Sequence, residues 1–161
     1  MLGGCGYYFP HVYEGGHKTI YMPTWKNKTN KLELDMKIYQ SLARWFQKAE
    51  KVSLTKEKSG ADFILAGEIL SISLPSISWN TVSDATGTKV QINVRYVLKD
   101  LKSGKILWEV PSKMYTADYT VNTSTSAADD EALAMIIEEM SEHIYLGTLN
   151  KLRKQAQATK P

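Results

Sequence analysis

The chain has 161 residues, 43% of them hydrophobic and 23% charged, with a formal net charge of +3. That length is a prior for one domain able to hide roughly 70% of its unfolded surface, and the charge is too small and too scattered to form the basic stripe that nucleic-acid binding needs. No apolar run approaches the ~20 residues of a membrane helix, and the single cysteine, Cys5, excludes an internal disulfide or a cysteine-based zinc cluster.

Leu2-Gly3-Gly4-Cys5 reads as a lipobox, the small-residue stretch that precedes the modified cysteine of a bacterial lipoprotein. The charged and apolar regions of a full signal peptide do not precede it, so the sequence is expected to start inside one. A diacylglyceryl group plus an N-acyl chain on Cys5 would make attachment effectively permanent, because one acyl chain anchors only marginally and each further buried CH₂ adds about 0.8 kcal/mol. The expected organisation is a lipobox and extended leader over residues 1–17, one domain over 18–154, and a disordered tail over 155–161.

Lys18 to Trp25 is predicted as a first strand, with Ile20 and Met22 alternating with Thr19 and Tyr21, and Pro23 confining it to an edge or to its end. A polar turn follows over residues 26–30. A helix is expected from about Lys31 to Lys51, because Leu34, Ile38, Leu42, Trp45 and Ala49 recur at three- and four-residue spacing. Asn30 with Glu33 resembles a capping box at its start. Its amphipathic face reads as one docked on a sheet.

Val52 to Lys56 reads as a short strand, broken at Lys58-Ser59-Gly60. Phe63 to Leu74 is a long strand of mixed phase: Leu65, Gly67 and Ile69 define one face, then Leu70, Ile72 and Leu74 the other, which signals a bulge. Ile77 and Trp79 are expected to continue it past Pro75, and residues 83–88 to form a hairpin loop. The cleanest alternation is Val90, Ile92, Val94, Tyr96 and Leu98, a half-buried antiparallel strand. Ser103-Gly104 marks a tight turn. Ile106, Trp108 and Val110 begin the returning strand, with Pro111 interrupting it. A last helix should start near Ser126, with Asp129, Asp130 and Glu131 favoured in its first turn by the helix dipole and Leu133, Ile137, Met140 and Ile144 on its buried face. The resulting fold class is α+β: two helices on one face of a mostly antiparallel four-stranded sheet, in the order β-α-β-β-β-α.

Catalytic chemistry is not visible. His11, His17 and His143 have no neighbours at metal-ligand spacing, so no metal or cofactor is expected. No nucleophile elbow, phosphate loop or dinucleotide fingerprint occurs. Asp129, Asp130 and Glu131 are explained by capping, and Glu138, Glu139 and Glu142 by a solvated helix face. The expectation is a protein that is not an enzyme.

Taken together, Cys5-Gly6-Tyr7-Tyr8-Phe9-Pro10, Ile20-Tyr21-Met22-Pro23 with Asn27 and Thr29, Leu32-Glu33, Ala61-Asp62 leading to Leu65, Gly67 and Ile69, and Leu98-Lys99-Asp100 through Gly104-Lys105-Ile106-Leu107-Trp108-Glu109 resemble the LptE lipopolysaccharide-assembly lipoproteins, in particular divergent members outside the enteric bacteria. The closing helix with Ala132, Leu133 and Met140 also fits, so the resemblance covers nearly the whole chain. It implies a lipoprotein on the periplasmic side of the outer membrane that plugs and helps assemble the LptD β-barrel and binds lipopolysaccharide on its way to the outer leaflet. Phosphates of that ligand call for basic residues near strand ends, and Lys89, Arg95, Lys102 and Lys105 are the candidates, with Lys99 beside Arg95 on the polar strand face. The entry to the last helix is acidic, a departure that leaves few cations near the long hairpin loop. The alternative is another periplasmic lipoprotein of similar layout, an activator of peptidoglycan synthases. An enzyme acting on envelope glycans is disfavoured by the lack of paired carboxylates.

Overall fold

The computed structural model describes residues 13–74, 88–119 and 126–159. The element order is β1 (Lys18–Tyr21), β2 (Lys26–Asn27), α1 (Leu34–Phe46), β3 (Val52–Thr55), β4 (Phe63–Ser73), β5 (Thr88–Asp100), β6 (Ile106–Tyr119) and α2 (Ser126–Ala158). The lipobox with Cys5, most of the leader, Ile77, Trp79 and the 83–87 loop lie outside the described residues. The α+β class with two helices on a mixed sheet is as expected, but the sheet has six strands, ordered β3-β1-β4-β5-β6, with β2 also on β4. β4, β5 and β6 are antiparallel, whereas β1 pairs in parallel with β3 and β4, and β2 in parallel with β4. The expected first strand stops at Tyr21, before Pro23, which has no N–H to give to a ladder, and β2 forms instead in the stretch expected to be a polar turn.

The inner face of the sheet follows from strand parity. Val90, Ile92, Val94, Tyr96 and Leu98 of β5 are all buried, opposite Phe63, Leu65 and Ile69 of β4. A register shift between Ile69 and Ser71 absorbs one extra residue. It returns Ile72, paired with Ile92, and the buried Leu74 to the inner face. The phase change read in the sequence is this bulge. A second shift, between Val94 and Tyr96, falls opposite the Pro111 region. Pro111 thus bends β6 at an irregularity rather than ending it, and the strand runs on to Tyr119.

Both helices lie on that inner face and run in the same direction. Lys31 at the α1 entry is 2.8 Å from Asp130; further along, Ser41 Oγ donates to Glu138 at 3.0 Å. Trp45 and Phe46 then meet Tyr145, with ring centroids 5.8 and 5.3 Å apart. α1 is shorter than expected at both ends. Its last turn tightens, with Lys48 N–H donating to the Trp45 carbonyl and Ala49 N–H to Phe46, each at 3.1 Å. The capping box is absent. Glu33 is the N-cap in a left-handed conformation, φ 62°, and makes no side-chain cap bond. The entry is held instead by Asn27, whose Oδ1 accepts from Thr29 N–H at 2.9 Å and Thr29 Oγ1 at 2.7 Å. α2 starts where expected, and Leu133, Ile137, Met140 and Ile144 are buried. It continues to Ala158, into the stretch expected to be a disordered tail, because Leu152 is buried and Gln155 Nε2 donates to Asp100 Oδ2 at 2.8 Å.

An aromatic row crosses the core. Trp25 lies over Gly67, where a Cβ would overlap its indole, and stacks on Tyr96 with centroids 6.1 Å apart. Tyr96 meets Trp108 edge-on at 5.0 Å. Trp108 packs between sheet and α2 as its phase implied, but is only partly buried, with its ring against Gly147. Glycine at these two positions is what lets an indole close onto a backbone.

Candidate functional site

The helices leave the other face of the sheet open. Ala66, Val97 and Ile106 line a groove of about 540 Å³ there, with Lys26, Glu68, Arg95, Lys99 and Glu109 also lining it. Its electrostatic centre is Glu68. Glu68 Oε2 is 2.8 Å from Arg95 Nη2 and 2.9 Å from Lys28 Nζ. Hydrogen bonds from Lys28 and then Arg95 hold the Glu68 carboxyl below its ordinary range, outweighing burial, which acts the other way. One carboxylate therefore fixes two cations and leaves one positive charge over. With Lys26 and Lys99 against Glu109, the groove is apolar along its floor and cationic along its rim. That arrangement suits an amphiphile with anionic groups beside an apolar body.

The four cations picked from the sequence do not share one place. Arg95 lines the groove. Lys89 is near the other end of β5, 3.8 Å from Asp118. At ~3.4 Å per residue along a strand, Lys89 and Arg95 are about 20 Å apart. Lys102 and Lys105 sit in the turn between β5 and β6, where Gly104 adopts φ 74°. Lys102 Nζ is 3.0 Å from Asp62 Oδ1. Lys26 and Lys28 were passed over as part of a polar turn. Only the pairing of β2 with β4, which sets Lys26 opposite Glu68, makes them part of this surface.

A second cavity, of about 480 Å³, lies at the end of the domain where the leader enters; Tyr13, Lys18, Asp62, Asp100, Lys102 and Gln155 are among its lining residues. Tyr13 is buried, so the leader is pinned at that residue, while Glu14, Gly16 and His17 after it are exposed. Burial alone would raise the Asp62 carboxyl, but the Thr19 N–H at 3.0 Å and Lys102 outweigh it, and the carboxyl is held below its usual range. Asp100 is likewise held low against burial, accepting from the N–H groups of Ser103 and Lys102 and from Gln155. These carboxylates tie β1, the β5–β6 turn and α2 together.

His17 Nε2 is 3.0 Å from Ser53 Oγ, and His143 Nδ1 is 2.7 Å from the Tyr115 hydroxyl. Burial first, then neighbouring Tyr96, pushes the Tyr115 phenol far up. Among the described residues no group of histidine, cysteine or carboxylate side chains is arranged to hold a metal ion, and no helix is long and apolar enough to cross a membrane.

Solved structures show the same fold at low identity. Protein XCC0632 from Xanthomonas campestris superposes with a TM-score of 0.64 at 11% identity, covering 88% of this chain and 91% of that one. The hypothetical protein CT253 from Chlamydia trachomatis gives 0.58 at 13% identity, covering 85% and 98%. A putative lipoprotein from Caulobacter crescentus CB15 gives 0.52 at 13% identity, covering 86% and 93%. No curated protein matches the sequence significantly. The family model described as LptE, lipopolysaccharide-assembly, matches residues 17–146. With most of its length inside that match, the chain belongs to the LptE lipopolysaccharide-assembly family, a family of non-catalytic assembly lipoproteins.

Proposed function

We propose that this chain is an outer-membrane lipoprotein, anchored through lipid on Cys5, that plugs and helps assemble the LptD β-barrel and binds lipopolysaccharide in transit to the outer leaflet. Family membership supports the barrel partner and the ligand class. The observation that carries the ligand role is the open-face groove, with its apolar floor and its rim of Lys26, Arg95 and Lys99. Lipopolysaccharide joins phosphorylated sugars to acyl chains and fits a surface of that kind. Of the four cations chosen from the sequence, Arg95 is the one in the groove and takes the leading role here. Lys99 joins it, and Lys89, Lys102 and Lys105 are secondary.

The test is binding of labelled lipopolysaccharide to the folded chain. A charge-assisted hydrogen bond contributes roughly 1.5–3 kcal/mol, so R95A with K99A should weaken binding tenfold or more, and K89A should do almost nothing. Binding unchanged in R95A with K99A would place the ligand elsewhere. Isolation of the full-length lipoprotein from membranes tests the partner: a large barrel should come with it, where a synthase activator would bring a peptidoglycan synthase.

A further inference from the structure

One end of the domain gathers chain segments that are far apart in sequence. Lys18 N–H donates to the Lys51 carbonyl at 2.8 Å, Asp62 N–H to Thr19 at 2.8 Å, and Leu101 N–H to Asp62 at 2.9 Å. The C-terminal turns of α2 join them through Gln155 and Asp100. Tyr13 is buried at this end, so the chain before it emerges here. Cys5 is eight residues before Tyr13. At no more than ~3.6 Å per residue, those eight steps reach about 29 Å at most. A lipid on Cys5 therefore keeps this end, and not the opposite one, close to the leaflet.

The charge of the two ends differs. Lys18, Lys51, Lys102, Lys105 and Lys154 cluster at the tethered end. Of the acids there, Glu14, Glu50, Asp62 and Asp100, the last two are engaged by the hydrogen bonds that hold the end together. Among the described residues Lys51 and Lys105 have no carboxylate partner. Lys102, although bonded to Asp62, has a side chain 78% exposed, so its remaining donors face outward. The opposite end carries Asp118, Asp129, Asp130 and Glu131, against Lys31 and Lys89, which pair with Asp130 and Asp118. Tether and charge thus agree on one direction.

We propose that the end carrying Lys51, Lys102 and Lys105 lies against the phospholipid leaflet that holds the Cys5 lipid, and that these lysines contact the phosphates of anionic headgroups. The inference rests on the Cys5 anchor proposed above. It orients the protein on the membrane and leaves the open-face groove clear for its ligand. Each lysine near an anionic surface strengthens binding about fivefold.

The test uses the full chain without lipid and sedimenting vesicles, one set of phosphatidylcholine alone and one of equal parts phosphatidylcholine and phosphatidylglycerol. Binding should be confined to the anionic vesicles. K51E with K105E should lower the affinity by more than about 25-fold, since losing two lysine charges alone accounts for about fivefold each and the reversal adds repulsion. K51R with K105R should keep it, and K37E with K113E, the same change in net charge elsewhere, should leave it within about twofold. Thermal melting of each variant checks folding, and K51Q with K105Q serves if the reversal does not fold. Equal loss from both reversed pairs, or no preference for anionic vesicles, overturns the proposal. The mass of Cys5 in protein taken from cell membranes tests the anchor separately. A bare thiol with the vesicle preference intact would sink the anchor and leave the headgroup contact standing.

Discussion

Gly147 is a single position where helix propensity and packing pull in opposite directions. In an exposed helix interior, alanine is better than glycine by about 1 kcal/mol. Here a Cβ would overlap the Trp108 ring, and the ring cannot retreat freely because Tyr96 and His143 flank it. Gly147→Ala should therefore destabilise the protein, by about 1–3 kcal/mol as for overpacked cores, where a propensity argument expects a gain. Urea denaturation decides the sign. Asp62 and Asp100 carry a second prediction. Both carboxyls are held below the usual 3.8, so the folded chain binds their protons more weakly than the unfolded chain does. The stability they add is complete above that usual value and is lost as pH falls through the depressed ones. Asp62→Asn should flatten the acid side of a stability-against-pH profile measured between about pH 5 and 2, while lowering stability near neutrality because the Lys102 contact is weakened.

At the scale of elements, the start of α1 shows a conflict between sequence and backbone. Glu33 occupies φ 62°, a region that costs an L-residue roughly 1–2 kcal/mol and glycine almost nothing. Glu33→Gly should raise stability by about 1 kcal/mol, seen as a higher denaturant midpoint at unchanged slope. The capping motif at Asn30 and Glu33 suggested otherwise because such a motif is a local signal, whereas here Asn27 organises the entry through a turn that the sequence pattern does not specify. β4 and β5 were legible for the opposite reason. Their inner residues alternate over long runs, and side-chain parity alone assigns the faces. Even the bulge near Leu70 was visible, because it shifts that parity. β1 and β3 were readable as short strands, but β2 is only two residues long and the parallel partners of all three are distant in sequence, so neither the pairing nor the strand count could be read.

For the whole molecule, the two faces of the sheet divide the work. The inner face, covered by α1 and α2, holds the fold. The outer face keeps charged and apolar groups together in a groove. The candidate site was half legible for that reason. Arg95 and Lys99 stand out on the polar phase of β5, but Lys28 and Glu68 join Arg95 only when β2 docks along β4. Lys89 and Lys105 looked equivalent in sequence, and the length of β5 puts them near opposite ends. The end that carries Tyr13 was invisible as a unit, since its members come from the leader, the 47–51 turn, the β5–β6 turn and the end of α2.

The helix that covers most of the antiparallel strands follows all of them in the chain. Until α2 exists, Val90, Ile92, Val94 and Leu98 have no cover over much of their apolar surface, and Trp45, Phe46 and Trp108 have lost a neighbour each. The domain can therefore close only once α2 has docked on the sheet. Up to that moment it is a sticky, half-built sheet, and exposed strands of that kind aggregate. A chain stopped before Ser126 should bind a hydrophobic dye, lose its cooperative melting transition and precipitate at concentrations the whole chain tolerates. A truncated chain that melted cooperatively would show instead that α1 and the sheet fold without their lid. Until α2 is in place, the inner face of this sheet has to be shielded from other chains.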